Sequence, residues 1–486
     1  MNSRKSLFVI ALVAILALSS CSGLKNKCTT NCGGGTGNAA LSITISDAPP
    51  TNATVVSFTL PIIGITLTPS TGSPVSVFST GNFELTRLQS DTNLIVSKKE
   101  IAAGTYTAIN VTVSAPSGVF ANTSTGSLGS CPSGDFCSIT GNAATITFTF
   151  STPLTLTANA NQWLNLDFNY NKAIVSSNGA LSIDMTQTGV MTASTAIPTG
   201  VASGAFANID DFTGQVTAVS SSSITVKSTI RGTLTVAITS STLFFDPQNQ
   251  CSGGASLSCI QTGSVVSVQS LLLTSGVPTA SSIDVIDVST KPTDEVEGII
   301  YPSTCNGGSN FGMILSDSLI NTSGSPLTSA SFGAGLCLSV AQISGFVVDS
   351  GILTTQPGVP SGANIPGFQS TSDILAGQMV RAKVTGATSG TNGIINANTA
   401  LLMLRFSRLT GTINTTTGTS FSIANLPPYL GTFSVPPQVI TYINATLLEG
   451  ETSVGNLTGT VSMSALFLNV GGGAQYWFQA AKVRQD

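Results

Sequence analysis

The sequence predicts an all-β chain of several modules, and three observations lead to that prediction. The composition is 41% hydrophobic but only 8% charged, against about 25% charged in an ordinary soluble protein. Gly, Ser, Thr and Asn fill the difference, alongside Val, Ile and Phe, and this mixture favours strands and turns over helices. Short apolar/polar alternations recur between breaks containing Gly, Pro or Asp, the mark of half-buried strands. A loose repeat also begins three times, at Phe212-Thr213-Gly214-Gln215-Val216, Val296-Glu297-Gly298-Ile299-Ile300 and Leu409-Thr410-Gly411-Thr412-Ile413. At about 100–200 residues per domain, the 486 residues make roughly three or four domains.

The first residues carry Arg4 and Lys5, then the apolar run Leu7 to Leu18. That run is too short for a stable membrane anchor and suits the core of a secretory signal. It ends in Leu18-Ser19-Ser20-Cys21, which resembles the lipobox of bacterial lipoproteins. The resemblance implies cleavage after residue 20 and lipid on the Cys21 thiol. Ser22 in the next position resembles lipoproteins directed to the outer membrane. Residues 21–39 then read as a flexible tether centred on Gly33-Gly34-Gly35.

A first domain is expected over 40–195. Leu41, Ile43 and Ile45 alternate with Ser42, Thr44 and Ser46 and stop at Asp47-Ala48-Pro49-Pro50, a half-buried strand entering a turn. Val55 to Thr68 reads as two strands broken near Pro61 and Gly64. Ala103-Gly104-Thr105-Tyr106-Thr107 opens another, with Tyr106 set to enter the core. Further strands are expected at Ile146–Phe150, Leu154–Leu156, Trp163–Phe168 and Leu181–Met185.

Four elements in this order carry a resemblance: Ser46-Asp47-Ala48-Pro49, Phe83-x-Leu85 with Leu88-Gln89, the Ala-Gly-x-Tyr segment at 103–106, and Leu166-Asp167-Phe168 leading to Lys172-Ala173-Ile174-Val175. Together they resemble an uncharacterised family of bacterial surface-lipoprotein domains. The resemblance implies a transthyretin-like or immunoglobulin-like β-sandwich and no catalytic residues. Residues 196–209 follow as an Ala/Ser/Thr-rich linker. The repeat then gives three small β-barrel-like modules, at 210–290, 291–408 and 409–486. Their order of strands resembles small barrels of unknown function appended to exported bacterial proteins.

Nine cysteines are present. With lipid on Cys21 an even number remains, which fits an oxidising compartment. Their placement suggests Cys28–Cys32, Cys131–Cys137, Cys251–Cys259 and Cys305–Cys337. A metal reading is weaker, since the cysteines do not form Cys-x-x-Cys pairs and the chain has no His.

The absence of His removes Ser-His and Cys-His chemistry. No Walker loop or strand-linked Gly-x-Gly-x-x-Gly entry occurs, and no basic run offers a footprint for nucleic acid. Paired carboxylates are the one enzymatic option: Asp210/Asp211, Asp294/Glu295/Glu297 and Glu449/Glu451. All sit at expected domain edges or hairpin turns, where acids are ordinarily solvated. The Asp294–Glu297 cluster lacks the spacing of a calcium loop, so neither a metal nor a cofactor is expected. The candidate ligand-binding aromatics are Trp163, Tyr476 and Trp477, although their strand patterns fit a core role better.

The expected function is that of a lipid-anchored, exported cell-envelope protein acting as a structural, adhesive or binding module and not as an enzyme. Its partners would be the membrane, through lipid, and a surface glycan or envelope protein. A carbohydrate-binding component of a surface polysaccharide system is the alternative, and an acid-pair hydrolase the third reading.

Overall fold

The computed structural model describes residues 37–47, 54–289, 293–301, 310–321, 324–363, 365–390, 394–431, 433, 435–470 and 476–485. The expected leader, Cys21 and the Cys28–Cys32 pair lie outside them. The described chain is nearly all strand, and none of its helices is long and apolar enough to cross a membrane.

Residues 38–194 form two facing sheets. One runs Met191–Ser194, Asn161–Phe168, Asn38–Asp47, Asn93–Ala102 in spatial order. The other runs Phe136–Thr140, Ser117–Ala121, Val55–Pro69, Gly104–Val113, Ala144–Leu156. Leu41, Ile43 and Ile45 point between the sheets, where Leu164 and Leu166 from the parallel neighbour join them. Tyr106 is buried as its segment suggested, and its hydroxyl donates to the Ala102 carbonyl at 2.8 Å.

Three expectations for this domain change, one being that the separate strands expected at Ile146–Phe150 and Leu154–Leu156 are a single strand, Ala144–Leu156. Val55–Pro69 is one 15-residue strand, not two. The break at Pro61 and Gly64 is taken up as a register shift where the strand passes from Ser117–Ala121 to Gly104–Val113. The first strand is also not half-buried. Ser42, Thr44 and Ser46, its polar face, are at most 1% exposed. Thr44 and Ser46 donate to Asn165 and Asp167 across the sheet. At Ser42 the neighbouring module arrives, with Gly276 packing close to its hydroxyl and to Lys98.

Three six-stranded barrels follow, all with one topology. The first contains Ala205–Val219, Ser223–Ser228, Gly232–Ala237, Leu243–Phe245, Val265–Leu273 and Pro278–Asp287. The second contains Asp294–Tyr301, Asn310–Ile320, Gly335–Ser339, Gly345–Val348, Met379–Ser389 and Ile395–Arg405, with an added Gly362–Ala363 edge. The third contains Ser407–Thr416, Ser420–Ala424, Gln438–Ile440, Leu447–Glu449, Thr460–Asn469 and Tyr476–Gln485. In each, the spatial order is third, second, first, fifth, sixth, fourth, and a parallel pairing of third with sixth closes the barrel. The apolar residues of each repeat fill the interior: Phe212 and Val216, Val296 and Ile300, Leu409.

The glycine of the repeat has a packing reason. A Cβ on Gly214 would meet the Lys227 carbonyl oxygen at 2.5 Å, and one on Gly298 the Ile314 carbonyl oxygen at 2.1 Å. On Gly411 it would meet Ile423 Cγ1 at 2.6 Å. The first strand of every barrel crosses the second too closely there for any side chain.

The expected linker 196–209 is shorter than its composition suggested. Residues 205–209 already belong to the first barrel, paired with Ser270 to Leu273. The second barrel ends at Arg405 and the third opens at Ser407; the residue between them, Phe406, is buried. The Cys131–Cys137 and Cys251–Cys259 disulfides are formed. Cys337 is also disulfide-bonded, and its expected partner Cys305 lies outside the described residues.

Candidate functional site

The outer faces of the three barrels meet beneath one short piece of the sandwich. In the repeat, the residue before the glycine points out of the barrel: Thr213, Glu297 and Thr410. Opposite it on the fifth strand stand Ser267, Arg381 and Ser462. In the first and third barrels the pair is two hydroxyls, at 3.0 and 2.8 Å. In the second it is an ion pair, Arg381 Nη1 to Glu297 at 3.2 Å. An isolated barrel would show these groups to water; here the neighbouring modules cover them.

The sandwich contributes the 3-10 turn Leu85–Gln89, all five residues of which are buried, and the residues that follow it. Arg87 reaches Asp210 and Asp211 of the first barrel, each at 3.0 Å, and Asp317 of the second at 2.5 Å. Gln89 accepts from Thr410 of the third barrel at 2.7 Å and donates to Tyr170 at 3.1 Å. Asp91 meets Lys482 of the third barrel at 3.0 Å and Arg408 at 3.5 Å. The Thr92 hydroxyl donates to the Asn208 carbonyl, and the Thr92 carbonyl accepts from the Asp210 amide at 2.7 Å. One segment thus touches all three barrels.

The ion pairs are continuous. Arg231 joins Asp210 and Asp317. Arg405 joins Asp211, Glu297 and Asp349. Arg408 joins Asp91, Asp210 and Asp211. Arg381 adds Glu295 at 2.6 Å, and Lys482 adds Glu449 at 3.1 Å. Every side chain in this network is at most 10% exposed. Asp284 of the first barrel is buried beside it, and its Oδ1 has no hydrogen-bond partner.

The carboxyls respond unequally. Burial pushes Asp91, Asp210, Asp211, Asp284, Glu297, Asp317 and Asp349 upward, and the balance between that and the nearby charges decides the outcome. Asp211 is held well below the usual range because Arg408, Arg87 and Arg405 together outweigh its burial. Glu297 is lowered against burial by Arg405 and Arg381, and Asp91 by Lys482 and Arg408. Burial pushes Asp317 up to about 7 despite Arg87, with Glu297 adding to the rise. Asp210 is pushed up to about 6 by burial, against the pull of Arg87, Arg231 and Arg408. Burial and then Asp349 drive Asp284 well above the ordinary range.

Five of the seven carboxylates picked out in the sequence are therefore not solvated edge groups. Asp210, Asp211, Glu295, Glu297 and Glu449 are all buried, because other modules close over the strand ends that carry them. Asp294 is half-buried and accepts from Ser325 at 2.5 Å, while Glu451 accepts from Gln485 at 3.4 Å. Asp211, Glu297 and Asp317 do converge closely enough to hold a cation. Each is already bonded to one or more guanidiniums, and a metal ion there would sit among like charges.

Trp163 is 4% exposed. Its indole N–H donates to Thr44 at 2.9 Å, and its ring stacks on Phe206 across the seam with the first barrel. Tyr476 is half-buried against Phe433 and Phe467, and Trp477 is half-buried beside it. An open groove of about 540 Å³ runs along the edge of the sandwich, lined by Phe148, Phe150, Asn161, Trp163 and Phe206 among other uncharged residues.

Sequence reasoning missed Arg87, Arg231, Arg381, Arg405 and Arg408. A signal was present: Arg405 interrupts Leu401-Leu402-Met403-Leu404, and Arg381 stands between Val380 and Ala382. A charge inside an apolar strand, in a chain with so few charges, calls for a buried partner.

Residues 38–184 match a domain of unknown function, DUF4382, and residues 213–284 match a second, DUF5666. The first match covers most of the sandwich and the second most of the first barrel. No curated protein matches the chain.

Proposed function

We propose that this chain is a lipid-anchored module of the bacterial cell envelope, acting in structure, adhesion or binding and not in catalysis. The observation that carries the reading is the buried ionic junction. It ties the sandwich and three barrels into one body and draws inward 15 of the 38 charged residues the chain has. What remains outside is largely Ser, Thr, Asn and Gly, a neutral exterior suited to contact with other envelope components. The Cys131–Cys137 and Cys251–Cys259 disulfides support an oxidising location. The lipobox-like Leu18-Ser19-Ser20-Cys21 supports the anchor.

Two measurements test this. Cys21→Ala should abolish incorporation of labelled palmitate, and equal labelling of variant and wild type would remove the anchor. Residues 37–486, immobilised, should retain a defined envelope component; retention of none would remove the binding role.

The groove beside Phe148 and Phe150 favours carbohydrate binding as a second reading. Its uncharged aromatic and amide lining suits a neutral glycan. A glycan array probed with wild type and with Phe148→Ala/Phe150→Ala separates the two readings: a signal lost in the double variant assigns the groove. The hydrolase reading has least support, since five of the acids it needs are engaged by buried bases, with Asp294 bonded by a hydroxyl and Glu451 by an amide.

A further inference from the structure

The ionic junction is unbalanced. Its bases are six: Arg87, Arg231, Arg381, Arg405, Arg408 and Lys482. Its carboxyls, with Asp284, are nine: Asp91, Asp210, Asp211, Asp284, Glu295, Glu297, Asp317, Asp349 and Glu449. The excess belongs to the seam between the first two barrels. The first supplies Asp210, Asp211 and Asp284 against Arg231. The second supplies Glu295, Glu297, Asp317 and Asp349 against Arg381 and Arg405. Water, which would tolerate three unmatched charges, is largely excluded. A buried carboxylate without a partner takes up a proton instead.

We propose that the junction is a proton-held latch: carboxyls at the seam between the first and second barrels keep protons that their unfolded counterparts release, and raising the pH loosens the sandwich and barrels from one another. The groups facing each other there are explicit. Asp284 is confronted by Asp349, Arg405 and Asp211. Asp317 is confronted by Arg87 from the sandwich, Arg231 and Asp211 from the first barrel, and Glu297 from its own. Asp349 faces Arg405, Asp211 and Arg381, and its carboxyl too is raised by burial. Asp210 faces Arg87, Arg231, Arg408 and Asp211.

The sign follows from proton counting. A carboxyl raised in the folded state binds more protons folded than unfolded between the two pKa values, so stability falls as pH rises through that window. For Asp210 the window runs from about 4, the ordinary value, to about 6. For Asp317 it extends to about 7, and for Asp284 it extends upward from the ordinary value. Asp91, Asp211 and Glu297 are lowered and act oppositely, withdrawing stability only below about 4. The chain should therefore be most stable at mildly acidic pH and lose stability through neutrality.

The test uses the whole chain with Trp477→Phe, which leaves Trp163 as the tryptophan reporter at the sandwich–barrel seam. Emission and melting temperature are followed from pH 4.5 to 9. The latch predicts a melting temperature that falls across this range and a red shift of Trp163 at the alkaline end. Asp284→Asn removes one excess acid while breaking no ion pair, so it should raise the melting temperature at pH 8 and flatten the profile. A flat profile in the parent, or an Asp284→Asn profile that tracks it in parallel, would overturn the proposal. If Asp284→Asn fails to fold, Asp349→Asn is the second variant; losing its pair with Arg405 lowers the melting temperature at every pH, so its slope alone decides, and a slope equal to the parent's would overturn the proposal.

Discussion

The interior of the sandwich and the junction of the four modules are equally closed to water but held by opposite means. Between the sheets, Leu41, Ile43, Ile45, Phe58, Leu164, Leu166 and Phe168 are fully buried hydrocarbon. Their attraction has no direction and grows with the area removed from water. At the junction, Arg405 is as deeply buried, yet it is held by Asp211, Glu297, Asp349 and Ser267. Such a cluster adds little net stability over a hydrophobic replacement of the whole set, but it fails badly when one member is lost. The lesson is that the first region makes each domain fold, whereas the second dictates how the domains are placed.

Substituting the same residue into both regions breaks the comparison open. Arg405→Met retains bulk and removes the charge, leaving three carboxyls facing one another. The expected loss is about 3–5 kcal/mol, read by urea denaturation, and interdomain proteolysis between 195 and 204 should rise with it. Leu166→Met keeps volume and polarity, and should cost less than about 1.5 kcal/mol with no change in proteolysis. Equal losses would mean that directionality is not what separates the regions. The smallest effect is expected at Lys383, whose pair with Asp287 spans 2.6 Å but leaves the lysine a third exposed. Lys383→Gln should change stability by about 0–1 kcal/mol, and the change should fade in high salt. An effect approaching that of Arg405 would show that exposure does not govern the contribution of these pairs.

The local elements were legible for a local reason. Alternation at Leu41–Ser46, the Gly104–Tyr106 entry and the Gly of each repeat all report contacts within or between adjacent strands. The three barrels could be read because Gly214, Gly298 and Gly411 answer the same close crossing. The junction could not be read, because its partners are far apart in the chain: Arg87 and Asp210 are separated by 123 residues, Asp211 and Arg405 by 194, and Asp91 and Lys482 by 391. Nothing near Asp210-Asp211 announces Arg408. The polar face of the first strand misled in the same way, since Thr44 and Ser46 pair with Asn165 and Asp167, 121 residues on, and Ser42 meets Gly276 of the next module.

The pairing of Asp91 with Lys482 also has a kinetic consequence. A chain that emerges from its N-terminal side first can complete the sandwich long before the strand Tyr476–Gln485 exists. Until that strand arrives, Asp91 lacks its ammonium partner, so the early domain waits with an unfinished underside. Contacts of such long sequence separation form slowly. The closing step is then a docking event and not a collapse, and its delay is the interval in which chaperones or proteases reach the open seam. A pulse of protease during refolding should cut residues 195–204 early and spare them only once the last barrel has locked.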